Sequence, residues 1–338
     1  MKALVCSQPG ELQYIDVTAP VLEKDRAIIR MKRVGICGTD LHAFGGTQPY
    51  FSYPRILGHE LSGELVEFDN APGFELNEMV SIIPYYNCGE CIACRKGMTN
   101  CCSALKVCGV HVDGGMTEYL SVPSDSLIHG GGLSLDELAL IEPLAIGAHG
   151  IRRAMVETGE FVLVVGAGPI GLGTMEFARI AGAKVIALDV NERRLQYCRE
   201  HFQVGYIINA STRNVVKDLQ DITSGNMPTV VIDATGNLNA INNAFQYLAH
   251  SGRYVLIGLQ KGDISFSHPE FHKREATLMS SRNATAHDFA LVMDAIRNGN
   301  VRTDQYITHR VTFDALGEAF GKFLNPEHGV IKAMVEFS

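Results

Sequence analysis

Two patterns of apolar and polar positions divide the chain. Residues 1–145 carry many short apolar runs of strand length, among them 2–6, 27–34 and 61–68, and turn-forming pairs such as Pro72-Gly73 separate these runs. Short runs punctuated by glycine and proline are typical of strands joined by tight turns. This part of the chain is therefore predicted to be an irregular β-rich domain.

The pattern changes near residue 160. A continuous apolar run at 161–165 is followed by a helical pattern over 169–182, a second apolar run at 184–188 and a second helical pattern over 192–202. Further strands are predicted at 206–208, 229–232 and 254–257. Alternation of strand and helix at this spacing predicts a parallel sheet with helices on both faces. From about residue 282 the predicted order is helix, strand, helix, strand, which could extend this sheet or return to the first domain.

Composition narrows the class of protein. A chain of 338 residues fits about two domains at ~150 residues each, and 46% hydrophobic with 20% charged residues excludes a disordered tail, a collagen and a coiled coil. The longest apolar runs fall far short of the ~20 residues of a membrane span, and no secretion signal is recognisable. The net charge is −8, without a basic block. We therefore expect a cytoplasmic protein with neither a membrane nor a nucleic-acid partner.

Six of the nine cysteines lie between residues 88 and 108. Clustered cysteines in a chain of this length, without a secretion signal, more often bind metal than form disulfides. The spacing Cys88-x2-Cys91-x2-Cys94-x7-Cys102 predicts a closed structural Zn²⁺ site. An iron–sulfur cluster is the alternative, but its ferredoxin pattern has a three-residue last gap and a following proline, and both are absent. A cluster of free thiols is a third reading, and local spacing leaves Cys101 as a substitute for Cys102.

A glycine-rich turn follows the first apolar strand of the second region. Gly166 permits the tight turn, Gly168 lets the backbone approach a pyrophosphate, and Gly171 lets the helix pack on the sheet. Asp189 ends the next strand, where its carboxylate would accept hydrogen bonds from ribose hydroxyls and repel a 2′-phosphate, which favours NAD over NADP. An ordinary turn and a surface aspartate are the alternative. The candidate cofactor residues are Gly166, Gly168, Pro169, Ile170, Gly171, Asp189, Arg194, Thr235, Gly258, Leu259 and Arg282.

Three further segments carry potential chemistry: Gly-Ile-Cys-Gly-Thr-Asp-Leu-His at 35–42, Gly-His-Glu at 58–60 and Ile-Glu-Pro-Leu at 141–144. With the cysteine cluster and the glycine-rich turn, they resemble the zinc-containing medium-chain dehydrogenase/reductase family along essentially the whole chain. The resemblance implies an α/β protein with a GroES-like catalytic domain, 1–145 and 282–338, and a Rossmann NAD-binding domain, 146–281. It also favours Cys102 over Cys101 as the fourth ligand of the structural zinc.

The resemblance implies a role for each residue of a catalytic zinc site. Cys37 and His59 match two zinc ligands, and Glu142 stands where alcohol dehydrogenases have a cysteine, which is similar to the polyol, threonine and sugar-acid branch. Glu60 or a water would complete the coordination. The remaining matches are Asp40, which orients the zinc-bound histidine, Thr39, which takes the proton of the alcohol, and His42, which passes this proton on.

The implied activity is reversible NAD-linked oxidation of a secondary alcohol on a polyhydroxylated small molecule. Segments 45–51, 109–115 and 281–284 are similar to those of hexonate and polyol dehydrogenases, so Tyr50, His111, Arg282 and Asn283 could bind substrate. Each could equally be a turn residue with local hydrogen bonds. A sugar acid such as galactonate is preferred, then a neutral polyol, then L-threonine. A nucleotide-binding regulatory protein, a zinc-free quinone reductase and an electron-transfer protein are the other classes, and a homo-oligomer, a dimer or tetramer, is expected by analogy.

Overall fold

The computed structural model describes residues 1–338, apart from the side chain of Pro326. The chain forms two compact units, one made of Met1–Glu142 with Thr303–Ser338 and the other of Pro143–Arg302. We call them unit 1 and unit 2. Helix α3, Leu135–Ala154, contains the boundary between them, which falls at Pro143.

Unit 1 is built mainly from antiparallel strands. Its elements before α3 are β1 Lys2–Gln8, β2 Glu11–Asp16, β3 Arg26–Ile36, α1 Gly38–Phe44, β4 Arg55–Ile56, β5 Glu60–Phe68, β6 Met79–Ile82, β7 Tyr85–Tyr86, α2 Ile92–Arg95, β8 Lys106–Val107, β9 Tyr119–Pro123 and β10 Leu127–His129. Short 3₁₀ turns occur at Thr99–Cys101 and Ser124–Ser126. Strands β2, β1 and β4 form a small sheet, and β7 pairs with β8. The predicted β-rich first domain is thus observed.

Unit 2 is a six-stranded sheet flanked by helices. Its elements after α3 are β11 Phe161–Val165, α4 Pro169–Ile180, β12 Lys184–Asp189, α5 Glu192–Phe202, β13 Tyr206–Asn209, α6 Val215–Ile222, β14 Val230–Asp233, α7 Leu238–Ala244, β15 Arg253–Leu256, α8 His268–Lys273, β16 Thr277–Ser280 and α9 Ala286–Arg297, with a 3₁₀ turn at Phe245–Tyr247. All neighbouring strands run parallel in the order β13-β12-β11-β14-β15-β16. This is the strand order of a dinucleotide-binding doubly wound fold, as predicted.

The C-terminal segment settles the alternative that periodicity left open. It contains β17 Ile307–Thr312, α10 Leu316–Ala319 and β18 Lys332–Glu336, with 3₁₀ turns at Thr303–Gln305, Phe313–Ala315, Phe320–Leu324 and Pro326–His328. Strand β18 pairs antiparallel with β3, which gives the order β10-β6-β5-β3-β18-β17, and β9 also pairs with β3. The end of the chain therefore completes the main sheet of unit 1.

The unit boundaries differ from those inferred from the sequence, which placed 282–338 with the first domain. Helix α9 belongs to unit 2, and unit 1 resumes only at Thr303. Buried polar contacts account for the place of α9. Asp288, near its start, lies 2.9 Å from His149 Nδ1 and accepts a hydrogen bond from Arg152 Nε at 2.8 Å. Both partners lie in the part of α3 that belongs to unit 2.

Each unit has its own apolar core. In unit 1 fully buried side chains of β3 and β5, such as Ile29 and Leu65, pack with residues of β1 and β18. In unit 2 the core follows the parallel strands, for example Leu163, Ile186 and Val231. Within the described part of the chain, no helix combines the length and the apolar character that a membrane span requires.

Candidate active site and metal centres

A four-cysteine cluster forms in the loop around α2. The sulfur atoms of Cys88, Cys91, Cys94 and Cys102 all lie within 4.8 Å of one another. Backbone N–H groups of the loop hold two of the sulfur atoms. Cys94 N–H donates to Cys91 Sγ at 3.5 Å, and Cys88 N–H donates to Cys102 Sγ at 3.3 Å. Cys101 is exposed and is not part of the set. Four thiol groups at this spacing suit tetrahedral Zn²⁺.

Backbone N–H groups prepare some of these thiols for metal binding. Hydrogen bonds from the backbone of Cys94 and Ser103 lower the pKa of Cys91 to about 5. Backbone N–H groups of Glu90 and Cys91 likewise lower the pKa of Cys88. Because the thiolate is the form that binds metal, these bonds favour the ligand form of Cys88 and Cys91, whereas desolvation and the neighbouring thiols of Cys91 and Cys102 raise the pKa of Cys94 to about 12.

A second candidate metal centre is assembled from the main sheet of unit 1. Ligand atoms of Cys37, His59 and Glu60 lie within 4.8 Å of one another. Cys37 directly follows β3, whereas His59 precedes β5 and Glu60 begins it. The antiparallel pairing of these strands, with Gly35 opposite Glu60, brings the two sequence segments together. His59 and Glu60 are buried.

Asp40 joins the two segments of this centre. Its carboxylate is 1% exposed and accepts backbone N–H bonds from Cys37 at 2.9 Å and from Gly58 at 3.1 Å. Asp40 Oδ1 also lies 3.7 Å from His59 Nδ1. Burial acts to lower the pKa of His59, but the charges of Asp40 and Cys37 outweigh it and raise that pKa well above its ordinary value. Asp40 thus lies beside His59, but 3.7 Å is longer than a hydrogen bond, and within the described part of the chain the buried His59 Nδ1 makes none, so the orienting role of Asp40 stays a prediction.

Glu142 is buried near the end of the unit 1 part of α3, but it is not among the three residues whose ligand atoms cluster. Its carboxylate accepts a hydrogen bond from the buried Tyr85 hydroxyl. Burial raises the pKa of Glu142 to about 7; the charge of His59 opposes this shift, and that of Glu60 adds to it. Of the four residues expected to bind the catalytic metal, the structure thus clusters three and gives the fourth a phenol partner.

One charged residue of this centre, Lys332, was not predicted from the sequence. Lys332 is 1% exposed, and its Nζ lies 2.5 and 2.6 Å from the two carboxylate oxygens of Glu60. The only sequence signal is a lysine at the head of the otherwise apolar strand Lys-Ala-Met-Val. Against the opposing effect of burial, the charges of Glu60, Cys37 and Glu142 raise the pKa of this lysine. The thiol, imidazole and carboxylate that cluster here are donor groups that fit Zn²⁺.

The two residues of the expected proton path lie on α1. Thr39 and His42 are three positions apart, so they share one face of the helix. Thr39 is half-buried, whereas His42 is exposed. His42 Nδ1 lies 2.9 Å from Thr47 Oγ1, which fixes the orientation of the imidazole ring. The exposed position suits a group that delivers a proton to water.

The glycine-rich turn in unit 2 has the geometry that its sequence predicts. Gly166 has φ +104°, and a Cβ on Gly171 would lie 1.9 Å from the Gly166 carbonyl oxygen. Gly168 precedes α4, and Pro169 is its first residue. Asp189 ends β12 and accepts N–H bonds from Ala167 at 2.7 Å and from Asn191 at 2.8 Å. The acid at the second strand is therefore hydrogen-bonded directly to the turn.

The other cofactor candidates follow neighbouring strands at the same edge of this sheet. Thr235 donates both its N–H and its hydroxyl to Asp233, at 3.2 and 2.5 Å. Gly258 packs so tightly that a Cβ there would lie 2.1 Å from Gly236 N and 2.4 Å from Asp233 Oδ2. The fully buried Asp233, which was not predicted from the sequence, accepts hydrogen bonds from both loops: its carboxylate from Thr235 and Gly236, and its carbonyl oxygen from Gly258. Leu259 and Arg282 are exposed. Arg194 lies in the first turn of α5, and Ile170 lies in the first turn of α4.

The candidate substrate residues have varied surroundings. Tyr50 is exposed, and His111 lies in a turn in which its Nδ1 accepts the Val107 N–H at 3.0 Å. The latter is the local hydrogen bond that an ordinary turn residue makes. Asn283 adopts the left-handed backbone conformation with φ +53°. Tyr50 and His111 belong to unit 1, and Arg282 and Asn283 belong to unit 2.

Comparison with known proteins agrees with this arrangement. Residues 23–131 match the alcohol dehydrogenase GroES-like domain, and residues 169–298 match the zinc-binding dehydrogenase domain. The chain is 43% identical over 338 residues to L-galactonate-5-dehydrogenase of Escherichia coli strain K12, covering 100% of this chain and 99% of that protein. The chain belongs to the zinc-containing medium-chain dehydrogenase family. The resemblance seen in the sequence is thereby confirmed.

A second sequence relative and a solved structure are also similar to the dehydrogenase over nearly its whole length. It is 30% identical over 328 residues to sorbitol dehydrogenase of Halalkalibacterium halodurans, with 95% of each chain covered. The crystal structure of the short chain alcohol dehydrogenase rspB from Escherichia coli CFT073, complexed with the cofactor NADH, matches with a TM-score of 0.92 and 29% identity, covering 100% of this chain and 99% of that one. The predicted α/β class, with GroES-like and Rossmann parts, is confirmed. The dehydrogenase class is likewise confirmed, whereas the individual site residues stay predictions.

Proposed function

We propose that this dehydrogenase oxidises a secondary alcohol of a sugar acid, with NAD as hydride acceptor and one catalytic and one structural zinc per chain. The observation that carries the proposal is the set of half-buried Cys37 with buried His59 and Glu60, whose ligand atoms lie within 4.8 Å of one another beside Asp40. A soft thiol, an imidazole and a carboxylate form a donor set that suits a catalytic Zn²⁺. The four-cysteine cluster would hold the structural ion.

Bound zinc would act as a Lewis acid that lowers the pKa of the substrate hydroxyl. Cys37 and His59 would hold it, with Glu142 as the third protein ligand and Glu60 or water at the fourth position. Thr39 would take the hydroxyl proton, and His42 would pass it to solvent from its exposed position. Thr47 would keep the His42 ring in the orientation that this transfer needs. Asp40 would fix the His59 imidazole through its position beside Nδ1.

Unit 2 would bind NAD, which supplies the hydride acceptor. The turn from Gly166 to Gly171 and the N-terminus of α4 would hold the pyrophosphate. Each carboxylate oxygen of Asp189 accepts one backbone N–H and keeps a second lone pair for a ribose hydroxyl. Its negative charge would repel a 2′-phosphate, which supports NAD over NADP. Arg194 Nη1 lies 4.0 Å from the place of a Cβ on Gly168, where its positive charge would attract a cofactor phosphate.

The substrate is inferred from the relatives. L-galactonate is the preferred substrate, because the 43% identical relative that spans the whole chain is named for it. Neutral polyols are the second candidate on the strength of the sorbitol dehydrogenase relative. A relative from Pyrococcus horikoshii named L-threonine 3-dehydrogenase is 31% identical, which keeps L-threonine as a third candidate. Tyr50, His111, Arg282 and Asn283 stay candidates for hydrogen bonds to the hydroxyl groups or the carboxylate.

The test is NADH formation by the zinc-loaded protein. L-galactonate, D-galactonate, sorbitol, L-threonine and ethanol would each be offered with NAD and separately with NADP, and metal content would be measured on the same sample. We expect the highest kcat/KM with L-galactonate and NAD, and two zinc ions per chain. Turnover of sorbitol alone would replace the sugar acid by a neutral polyol. One zinc per chain without turnover would reject the catalytic metal centre.

Location and assembly complete the proposal. All nine cysteines are free, including the exposed Cys101, which supports a reducing compartment and therefore the cytoplasm. Strand β16 is an edge strand of its sheet with mostly exposed residues, so it is available for pairing with a second copy. We therefore include a homo-oligomer, a dimer or tetramer, in the proposal. Light scattering on the purified chain would give its mass, and a monomeric mass would contradict this part.

A further inference from the structure

A buried ion pair lies inside the candidate catalytic centre. Lys332 begins β18, and its ammonium group has three acceptors: the two oxygens of Glu60, at 2.5 and 2.6 Å, and the carbonyl oxygen of Ile36, at 3.2 Å. An ammonium has three N–H donors, so this arrangement satisfies each of them. Both side chains are at most 1% exposed, and lysine is almost never so fully buried without a partner.

The fold makes room for this pair. Gly35 stands opposite Glu60 in the ladder between β3 and β5, and a Cβ on Gly35 would lie 2.0 Å from Glu60 Oε2. The carboxylate therefore occupies space that any other residue at position 35 would fill. Strand β18 pairs with the other edge of β3, with Ala333 opposite Ile36, which places Lys332 next to the pair. Three neighbouring strands thus fix where the Glu60 carboxylate lies.

This position matters for the metal. Glu60 offers a carboxylate oxygen within 4.8 Å of the ligand atoms of Cys37 and His59, so it is close enough to become a metal ligand. In the structure both of its oxygens are engaged by Lys332. A catalytic zinc needs one exchangeable position, whereas four permanent protein ligands produce a closed site. A carboxylate released from the ammonium would be free to close it.

We propose that Lys332 is a positioning residue that holds Glu60 away from the metal and so keeps the fourth coordination position open for the substrate hydroxyl. The inference rests on the proposed function, because it requires a metal held by Cys37 and His59, with Glu142 as the third protein ligand. The pairing also neutralises the Glu60 charge. A bound metal would therefore keep more of its positive charge for polarising the substrate than it would with an added anionic ligand.

The test replaces Lys332 by methionine, which has a similar length and no charge, in the Co²⁺-substituted full-length protein. Imidazole serves as the probe, because it binds only to a metal with an exchangeable position, and the cobalt d–d absorption bands report its binding. We expect Lys332→Met to bind imidazole at least about tenfold more weakly and to lose activity by a similar factor. It should also release its metal to a chelator more slowly. Lys273→Met, which removes an exposed lysine on α8, should behave as the unsubstituted protein.

A second pair of variants tests whether Lys332 acts through Glu60. In Glu60→Gln the side chain has no charge and is a poor ligand, so the site should stay open. The double variant Lys332→Met/Glu60→Gln should then bind imidazole as Glu60→Gln does. This comparison stands even if Lys332→Met does not fold, since the double variant leaves no unpaired charge in the core.

Three results would overturn the inference: unchanged imidazole affinity in Lys332→Met, faster metal loss in that variant, or a double variant that binds imidazole more weakly than Glu60→Gln. These results leave the proposed function intact when the unsubstituted protein binds two metals and imidazole. An unsubstituted protein that takes up one metal only would remove the proposed function and this inference together. The readouts therefore separate the two failures without requiring the correct substrate.

Discussion

The two candidate metal centres of unit 1 are built in opposite ways. The four-cysteine cluster comes from a single loop between residues 88 and 102, includes an exposed member, and uses its own backbone N–H groups to hold the sulfur atoms. The second centre takes residues from β5 and from the segments beside β3 and β5. Its His59 and Glu60 are buried, Lys332 engages the Glu60 carboxylate, and Tyr85 engages the nearby Glu142, which is outside the cluster.

The difference predicts that the ion of the four-cysteine cluster stabilises its loop, whereas the sheet around the second centre is stable without a metal. The loop around α2 buries little apolar surface: Ile92 and Met98 are exposed, and none of the residues of α2 is buried. It therefore depends on a bound ion for its structure. The second centre lies in a sheet whose core is already formed by apolar side chains. Removal of its metal should abolish chemistry and leave the fold.

The largest expected difference between the two centres is in the effect of Cys37→Ala on activity and on stability. Without the thiol the catalytic metal is lost, so kcat/KM should fall at least about 10³-fold, while the midpoint of thermal unfolding stays close to that of the unsubstituted protein. Cys6→Ala, at a buried cysteine of unit 1 outside both clusters, is the control and should keep its activity. Turnover above a few per cent in Cys37→Ala would contradict the metal role of this residue.

The complementary change is Cys94→Ser in the loop. Loss of one ligand of a closed zinc site should unfold the loop locally, so trypsin should cut at Arg95 or Lys96 at least about 100-fold faster. Cys101→Ser provides a matched control because this exposed neighbour lies outside the set. Equal cleavage rates for the two variants would show that the loop is stable without its metal.

The buried carboxylate of Asp288 in unit 2 provides a contrast to both metal centres, because protein groups alone balance its charge and satisfy its hydrogen bonds. Burial acts to raise the pKa of Asp288, but hydrogen bonds from His149, Arg152 and Thr285 outweigh this effect and hold the pKa below 3.8. A lowered folded-state pKa contributes stability at pH values above that of the unfolded chain, and this contribution is lost as the pH falls towards the folded-state pKa. No metal is needed to balance this charge.

Asp288→Asn should therefore lower the free energy of unfolding by about 2 kcal/mol at pH 7, a modest value because Arg152 is half exposed. The difference from the unsubstituted protein should shrink as the pH falls below 3.8. Denaturant unfolding at several pH values measures it, and Asp294→Asn, at an exposed carboxylate on the same helix, is the control. A loss of stability that does not vary with pH would contradict the assigned cause.

The smallest expected effect concerns the exposed end of the proton path. His42→Ala should lower kcat about tenfold near pH 6 and much less near pH 9, because hydroxide and water can take the proton at high pH. Thr47→Val, which removes the contact with His42 Nδ1, should give a weaker effect of the same kind. A ratio of rates that is constant across the pH range would exclude His42 from the path.

Much of the fold was predictable, and the exceptions have physical causes. The apolar strands at the centre of unit 2 and the helices between them follow from periodicity, since buried parallel strands form continuous apolar runs. Strand β16 escaped prediction because its residues, Thr-Leu-Met-Ser, are mostly exposed and form no such run. The boundary predicted at residue 282 lies before α9, whereas unit 1 resumes only at Thr303, after that helix. The contacts of Asp288 with His149 and Arg152 keep α9 in unit 2, and no change in composition marks them.

By itself the sequence determined the local sites. The spacing of the four cysteines and the turn from Gly166 to Gly171 each lie within a single short segment, so their chemistry can be seen in the order of residues. The tertiary structure decided the contacts between distant segments: Lys332 with Glu60, Tyr85 with Glu142 and Gly35 beside the Glu60 carboxylate. A buried charge acquires its partner only when strands pair, and no spacing along the chain specifies which strands those are.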